Sequence, residues 1–145
     1  IQSVCDEQKL KIDGKQIHLN FIVEKNIPMI QADPKYLHMA VQNLLSNSVK
    51  YTPIKGKITI SLELEKDKDF ILLKVNDTGI GIPSKEQDKI FTKLFRAQNV
   101  LEKDSVEGTG LGLYIVKSIV EHSGGKVWFE SVENTGTTFF VRLQI

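Results

Sequence analysis

Apolar and polar positions along the chain predict five strands and two long helices. Alternation of apolar residues marks strands over 18–23, 58–64 and 139–145, and apolar segments mark two more over 70–77 and 127–132. Apolar residues at helical spacing follow Asp33-Pro34, a cap followed by a first helical residue, and this helix ends at Tyr51-Thr52-Pro53. A second helical stripe starts at Leu111 and stops before Gly124-Gly125.

The connections are predicted from the same pattern. A short helix is expected from Ser84 to Ile90, and the polar, aperiodic stretch 91–106 is expected to be a mobile loop. Residues 66–69 are expected to form a hairpin turn. The order of elements predicts an α+β fold, a two-layer α/β sandwich whose mixed, mostly antiparallel sheet is covered on one face by helices.

Composition narrows the class of protein. The 145 residues fit one domain, and the formal net charge of +1 argues against a nucleic-acid binder, which normally carries a basic excess. A single cysteine allows no internal disulfide, and no run of eighteen apolar residues is present. We therefore expect a cytoplasmic domain that makes no membrane contact of its own.

Asp77 stands at the end of an apolar strand and is followed by Gly79 and Gly81. Its ordinary interpretation is a turn residue, since Asp before Thr-Gly is common in turns. Its functional interpretation is an acceptor for the exocyclic amine of adenine, because guanine carries a carbonyl at that position. The two glycines would let the backbone approach a flat base.

Two further groups have the chemistry of a phosphate site. Asn43, Asn47 and Lys50 share one helix face, where amide oxygens suit Mg²⁺ and the amine suits a phosphate, although a solvated polar face is the ordinary alternative. Glycines at 108, 110 and 112 precede a helix, whose free N–H groups bind phosphates. Neither G-x-G-x-x-G nor the P-loop pattern is matched, which excludes the Rossmann and P-loop classes.

Five ordered segments closely resemble the catalytic, ATP-binding domain of sensor histidine kinases, which has the Bergerat-type (GHKL) ATPase fold with a mobile ATP lid. Residues 43–52 resemble its N box, 77–83 its first glycine box, 90–96 its F box, 108–113 its second glycine box, and 136–139 its closing glycine-threonine turn. Ser48 replaces the alanine usual in the N box, which we expect to be a mild change. The resemblance covers about residue 18 to the C-terminus.

The resemblance implies a role for each matching position. Asn47 would bind Mg²⁺, and Asn43, Lys50 and Arg96 would act on the phosphates during transfer. The implied contacts to ATP are Asn43, Asn47, Lys50, Tyr51, Asp77, Gly79, Gly81, Ile82, Gly108, Thr109, Gly110, Leu111, Gly112, Leu113 and Thr138. Residues 91–106 would form the ATP lid.

The resemblance also implies partners. None of the histidines, His18, His38 and His122, lies in the phosphoacceptor motif of such kinases. Residues 1–13 are therefore expected to be the tail of a linker from a separate dimerisation domain, with the catalytic domain over 14–145. That domain of the same parent protein would supply the acceptor histidine, a response regulator would act downstream, and membrane anchoring of the parent stays open.

Two other functions remain open. One is an anti-sigma-type serine kinase or an ATPase of the gyrase or mismatch-repair group. The lack of Glu and Asp over residues 37–46 counts against ATP hydrolysis. The other is a nucleotide-binding regulatory module without transfer activity.

Overall fold

A computed structural model describes residues 1–65, 69–101 and 108–145. The elements follow in the order α1 (Gln2–Gly14), β1 (His18–Val23), α2 (Pro34–Tyr51), β2 (Lys57–Leu64), β3 (Phe70–Asp77), a 3-10 helix (Ser84–Lys89), α3 (Gln98–Leu101), α4 (Gly112–His122), β4 (Lys126–Val132) and β5 (Gly136–Gln144).

One five-stranded sheet has the order β1-β2-β3-β5-β4. β1 pairs with β2 in parallel, and the remaining three pairings are antiparallel. This confirms the α+β fold with a mixed, mostly antiparallel sheet. β3 is the central strand of the sheet, and Asp77 is its last residue, so the other strands flank Asp77 on both sides.

The core lies between one face of the sheet and the two long helices. α2 and α4 pack against each other, α2 also packs against β3, and α4 packs against β4 and β5. The apolar side chains that are essentially inaccessible come from α1, α2, α4 and the inward positions of the sheet; the largest are Val4, Leu44, Leu45, Val49, Ile58, Ile60, Val75, Val116 and Val120. The helical stripes of the sequence therefore face the sheet, as amphipathic helices in a two-layer fold must.

α2 begins and ends where the sequence predicts. The carboxylate of Asp33 accepts a hydrogen bond from the backbone N–H of Lys35 at 2.8 Å, and Pro34 occupies the first turn. At the other end Thr52 is extended, as the residue before a proline prefers. The Lys15 ammonium donates to the carbonyls of Val49, Lys50 and Thr52 at 2.8–2.9 Å, which fixes the last turn.

α1 is an element that the sequence did not predict. Its Val4, Cys5 and Ile12 are buried, so the helix belongs to the core. The expectation that residues 1–13 are the tail of a linker stays a prediction.

Two connections also differ from expectation. The predicted helix after Pro83 forms as a 3-10 helix, and the short helix α3 lies within the stretch expected to be a loop. Residues 66–68 of the expected turn and 102–106 of the expected lid lie outside the described residues. Within the described ranges, no helix is long and apolar enough to cross a membrane.

Candidate functional site

Asp77 is a buried carboxylate held by two elements. It is 5% exposed, and its Oδ1 accepts a hydrogen bond from the backbone N–H of Gly79 at 2.9 Å. Its Oδ2 accepts one from the Ser48 hydroxyl on α2 at 3.1 Å. The carboxylate is thus fixed at the end of the central strand, with its remaining lone pairs available to a ligand.

Burial raises the pKa of Asp77 above its ordinary value. Hydrogen bonds from the backbone of Gly79, from Ser48 and from the backbone of Thr137 lower the pKa by smaller amounts. Desolvation disfavours the charged form, and donors that stabilise the carboxylate oppose it. An additional N–H donor from a ligand would further stabilise the ionised form.

An apolar cavity opens beside this carboxylate. Its lining comes from α2, β3, the glycine segment after β3, the stretch 90–100, α4 and β5, and comprises Asn47, Ser48, Tyr51, Asp77, Ile80, Gly81, Ile82, Ile90, Phe95, Ala97, Asn99, Val100, Leu113, Thr137 and Phe139. Apolar walls around one carboxylate suit a flat heterocycle with an amine donor.

The cavity measures about 80 Å³, whereas small-molecule pockets hold about 300–1,000 Å³. Ala97 and Val100 are buried against it, and the Asn99 side chain donates to the Gly81 carbonyl at 3.0 Å. The segment 97–100 therefore fills part of the space beside Asp77 that a base would occupy.

The glycines after Asp77 are required by close backbone contacts. A Cβ at Gly79 would lie 2.7 Å from Asp77 Oδ1 and 2.9 Å from the Tyr51 carbonyl oxygen. Gly81 has φ +63°, and a Cβ there would overlap the Val132 carbonyl. The next residue, Ile82, donates its N–H to the Ser131 hydroxyl at 2.9 Å. Only glycine fits these two positions.

Asn43, Asn47 and the first residue of α4 come together at one end of the site. Asn43 donates from Nδ2 to the Met39 carbonyl at 2.8 Å, so its Oδ1 points elsewhere. A Cβ at Gly112 would lie 2.8 Å from that Oδ1 and 3.8 Å from Asn47 Nδ2. The Asn43 carboxamide oxygen beside a helix start is a hard ligand of the kind that Mg²⁺ takes together with phosphate oxygens.

The oxygen ligands available here fit a metal ion that is also coordinated by phosphates, rather than one held by protein side chains alone. Across residues 1–65, 69–101 and 108–145, no cluster of three or more His, Cys, Asp or Glu side chains is present. Mg²⁺ usually keeps waters and uses few protein groups plus substrate phosphates. The Asn47 carboxamide matches that pattern.

Two positively charged side chains, Lys50 and Arg96, lie close to Tyr51. The Lys50 ammonium is 5.2 Å from the centre of the Tyr51 ring, and a Cβ at Gly108 would overlap this ammonium. Burial raises the pKa of Tyr51, and the Arg96 guanidinium lowers it by a smaller amount. The structure therefore brings Lys50, Tyr51, Arg96 and Gly108 into one region.

The second glycine segment joins the F-box residues to α4. Gly110 has φ +71°, and its carbonyl accepts a hydrogen bond from the Leu94 N–H at 3.0 Å. Thr109 accepts from the Leu111 N–H through its hydroxyl at 3.4 Å, and Leu113 lines the cavity.

Thr138 is not brought to the cavity. It lies on the other face of β5, where its hydroxyl accepts from the Asn76 side chain at 2.7 Å. The inward residue is Thr137, which is buried and lines the cavity. The alternation of Phe139 and Val141 could have indicated this, since Thr137 shares their face.

Sequence reasoning also missed Ser48 and Asn99. Ser48 was expected to be a mild change, yet it is 1% exposed and bonded to Asp77. The sequence feature that could have indicated a role for Ser48 is its position next to Asn47 on α2. Asn99 lies in an aperiodic stretch, so no pattern singled it out.

Comparison with known proteins agrees with this geometry. The sequence profile described as histidine kinase-, DNA gyrase B- and HSP90-like ATPase matches residues 32–145. The chain belongs to this ATPase family. Its α+β fold is the fold of the histidine kinase members of this family.

The relatives of this ATPase-family domain include sensor kinases. It is 34% identical over 128 residues to the sensor histidine kinase WalK of Bacillus subtilis, covering 86% of this chain and 20% of WalK. It is 34% identical over 144 residues to the adaptive-response sensory kinase SasA of Rippkaea orientalis, covering 99% of this chain and 36% of SasA. The chain thus spans about a fifth to a third of these relatives.

Solved structures give the same result. The nucleotide-free catalytic domain of histidine kinase ThkA superimposes with a TM-score of 0.83 at 28% identity, covering 99% of this chain and 90% of that one. Full-length ShkA in complex with AMPPNP gives a TM-score of 0.82 at 25% identity, covering 98% of this chain and 28% of that one.

Proposed function

We propose that this domain binds Mg-ATP and donates the γ-phosphate to a histidine on a separate dimerisation domain of the same parent protein. It would act as the kinase module of two-component signal transduction in the cytoplasm, with a response regulator downstream. The observation that carries the proposal is the clamped Asp77 carboxylate at the end of an apolar cavity.

Base recognition follows from this carboxylate. Asp77 accepts the exocyclic amine of adenine, while Gly79 and Gly81 let the backbone approach the ring, and Ile82 and Leu113 supply apolar contact. Guanine would place a carbonyl oxygen against the carboxylate. An unpaired buried polar group costs about 1–3 kcal/mol, which is enough to discriminate the two bases.

Phosphate binding follows from the opposite end of the site. Asn47 holds Mg²⁺ through its side-chain oxygen, Asn43 lies beside the phosphates, and Lys50 and Arg96 bring positive charge to the transferring group. The N–H groups at the start of α4, from Gly110 to Leu113, bind the phosphate chain. Mg²⁺ would neutralise the charge that develops on the phosphoryl oxygens, and transfer depends on positioning and charge.

We infer that the phosphoacceptor histidine lies on another domain from the positions of the three histidines in this chain. His38 pairs with Glu7 at 3.0 Å on the surface between α1 and α2. His18 pairs with Lys57, the first residue of β2, and His122 is the last residue of α4. The longer relatives WalK and SasA are named as sensory kinases, which supports an acceptor outside this chain.

The test is phosphotransfer in solution. The domain would be mixed with Mg-ATP labelled in the γ-phosphate and with the dimerisation domain of its parent. The proposal predicts an acid-labile phosphohistidine on the dimerisation domain, absent with an Asp77→Asn variant.

Other results would redirect the assignment. Tight ATP binding with no transfer would favour a nucleotide-binding regulatory module. Transfer to serine, or hydrolysis without an acceptor, would favour the anti-sigma-type kinase or ATPase alternative. Lack of adenine-nucleotide binding would overturn the proposal.

A further inference from the structure

The Ser48–Asp77 hydrogen bond is an unusual use of a serine within a helix. Buried serines inside helices normally bond to a carbonyl of their own preceding turn. Ser48 instead donates to Asp77 Oδ2, a partner 29 residues away on the central strand. The hydroxyl therefore bonds to the group that is proposed to recognise the base.

Gly79 and Ser48, two of the donors to Asp77, approach the carboxylate from different directions. The Gly79 N–H holds Oδ1 from the loop after β3, and the Ser48 hydroxyl holds Oδ2 from α2. Together they fix the rotation of the carboxylate plane. Ser48 is 1% exposed and Asp77 is 5% exposed, so water does not reach either side chain easily. Without the Ser48 hydroxyl, Asp77 Oδ2 would lose a donor that water could not readily replace.

We propose that Ser48 is a positioning residue that orients the Asp77 carboxylate for adenine and thereby sets the preference for ATP over GTP. This inference rests on the proposed function, because it requires Asp77 to be the base acceptor. An alanine here, usual in the N box that this segment resembles, would leave Asp77 to be held by Gly79 and the β5 backbone alone.

Selectivity depends on both the orientation and the charge of Asp77. An ionised carboxylate accepts from the adenine amine and repels the guanine carbonyl, whereas a protonated carboxyl can donate to that carbonyl. The Ser48 donor stabilises the ionised form, against the burial that raises the pKa of Asp77.

The other ionisable groups near the carboxylate are on neighbouring elements. Tyr51 on α2 lines the same cavity, and burial raises its pKa, so it stays neutral near pH 7. Lys50 and Arg96 are the cations next to the Tyr51 ring. On the sheet side, β5 presents Thr137 and Phe139, which do not titrate.

The experiment measures the dissociation constants of Mg-ATP and Mg-GTP from about pH 5.5 to pH 8.5. Ser48→Ala should reduce the preference for ATP over GTP by about threefold to tenfold, as expected for one lost hydrogen bond to a charged group. Its ATP affinity should begin to fall at a higher pH than in the native protein. Ser48→Thr, which keeps the hydroxyl, should restore both properties.

Ser118→Ala is the matched control, because Ser118 is exposed on α4 and does not line the cavity. A purely structural role for Ser48 would lower the melting temperature but leave the ATP-to-GTP ratio and the pH profile unchanged, and that result would overturn the inference.

Failure of the inference can be told apart from failure of the proposed function. If Asp77→Asn abolishes ATP binding while Ser48→Ala keeps native selectivity, Ser48 is not a positioning residue and Asp77 retains its role. If Asp77→Asn also leaves ATP binding unchanged, both proposals fall.

Discussion

The base end and the phosphate end of the site are built differently. At the base end, Asp77 and Ser48 are buried, held by hydrogen bonds and backed by the central strand. At the phosphate end, Asn43 and Lys50 are partly exposed side chains that face glycines of a separate segment. The acceptor for the base is thus preformed on rigid elements, while phosphate binding is left to adaptable side chains.

This difference matches the two parts of the proposed ligand. A purine is rigid and flat, and it is selected by shape and by one fixed acceptor. A phosphate chain with its metal is flexible and strongly charged, so long cationic side chains and backbone N–H groups can follow it. Substitutions at the two ends should therefore differ in severity.

Gly79→Ala should have the largest effect. The new methyl would meet the Tyr51 carbonyl oxygen at 2.9 Å and Asp77 Oδ1 at 2.7 Å, and neither the backbone nor the fixed carboxylate can move freely. We expect loss of ATP binding and a fall in the free energy of unfolding of about 1–3 kcal/mol, measured by urea denaturation. Gly14→Ala, where the methyl would meet nothing within 4 Å, is the control. Native ATP affinity in Gly79→Ala would show that the base end is not rigid.

Asp77→Asn should weaken ATP binding by about tenfold or more, since about 1.4 kcal/mol corresponds to a factor of ten. Isothermal titration with ATP measures this loss, and Asp88→Asn on the exposed side of the 3-10 helix is the control. Unchanged affinity would remove Asp77 from base recognition.

The same variant tests the pH dependence of stability. Because burial raises the pKa of Asp77 above 3.8, the native state binds its proton more tightly than the unfolded state does. Stability from this group is therefore greatest below about pH 3.8 and falls until the pH passes the raised pKa. Asp77→Asn should remove this pH-dependent loss in denaturation curves taken across the acidic range. An unaltered pH profile would mean that Asp77 is not desolvated.

Asn47→Asp should have a smaller effect that is specific to the metal. An added negative charge at the proposed Mg²⁺ ligand should change the concentration of Mg²⁺ needed for ATP binding by several-fold, with little change in binding measured without metal. Asn20→Asp on the exposed side of β1 adds the same charge elsewhere. If both variants kept the native Mg²⁺ requirement, Asn47 would not be a ligand.

Gly112→Ala should have the smallest effect. The methyl would meet Asn43 Oδ1 at 2.8 Å, but this atom is the end of a side chain that can rotate away. We expect ATP affinity to fall by about threefold, with stability unchanged, again relative to Gly14→Ala. A loss as large as that of Gly79→Ala would contradict the contrast between the two ends.

Much of this site could be predicted because its parts have local signals. A cap and a proline start α2, an apolar run marks β3, and glycines follow β3 at positions that backbone contacts explain. The fold class followed from the same periodicities.

The remaining features depend on contacts between distant segments. α1 has weak amphipathic character, and only its packing on α2 shows that it belongs to the core. The Ser48–Asp77 bond joins residues 29 apart, and Asn99 reaches Gly81 from an aperiodic stretch. Periodicity along one element carries no information about such pairs.

The central claim is that the fixed Asp77 carboxylate selects the nucleotide by accepting the adenine amine, and a thermal-shift titration with ATP, ADP and GTP, each with and without Mg²⁺, tests it most directly. Ligands that bind the native state raise the melting temperature by mass action. The account predicts a rise with both adenine nucleotides, strengthened by Mg²⁺, and none with GTP. No rise with any nucleotide, or an equal rise with GTP, would contradict it.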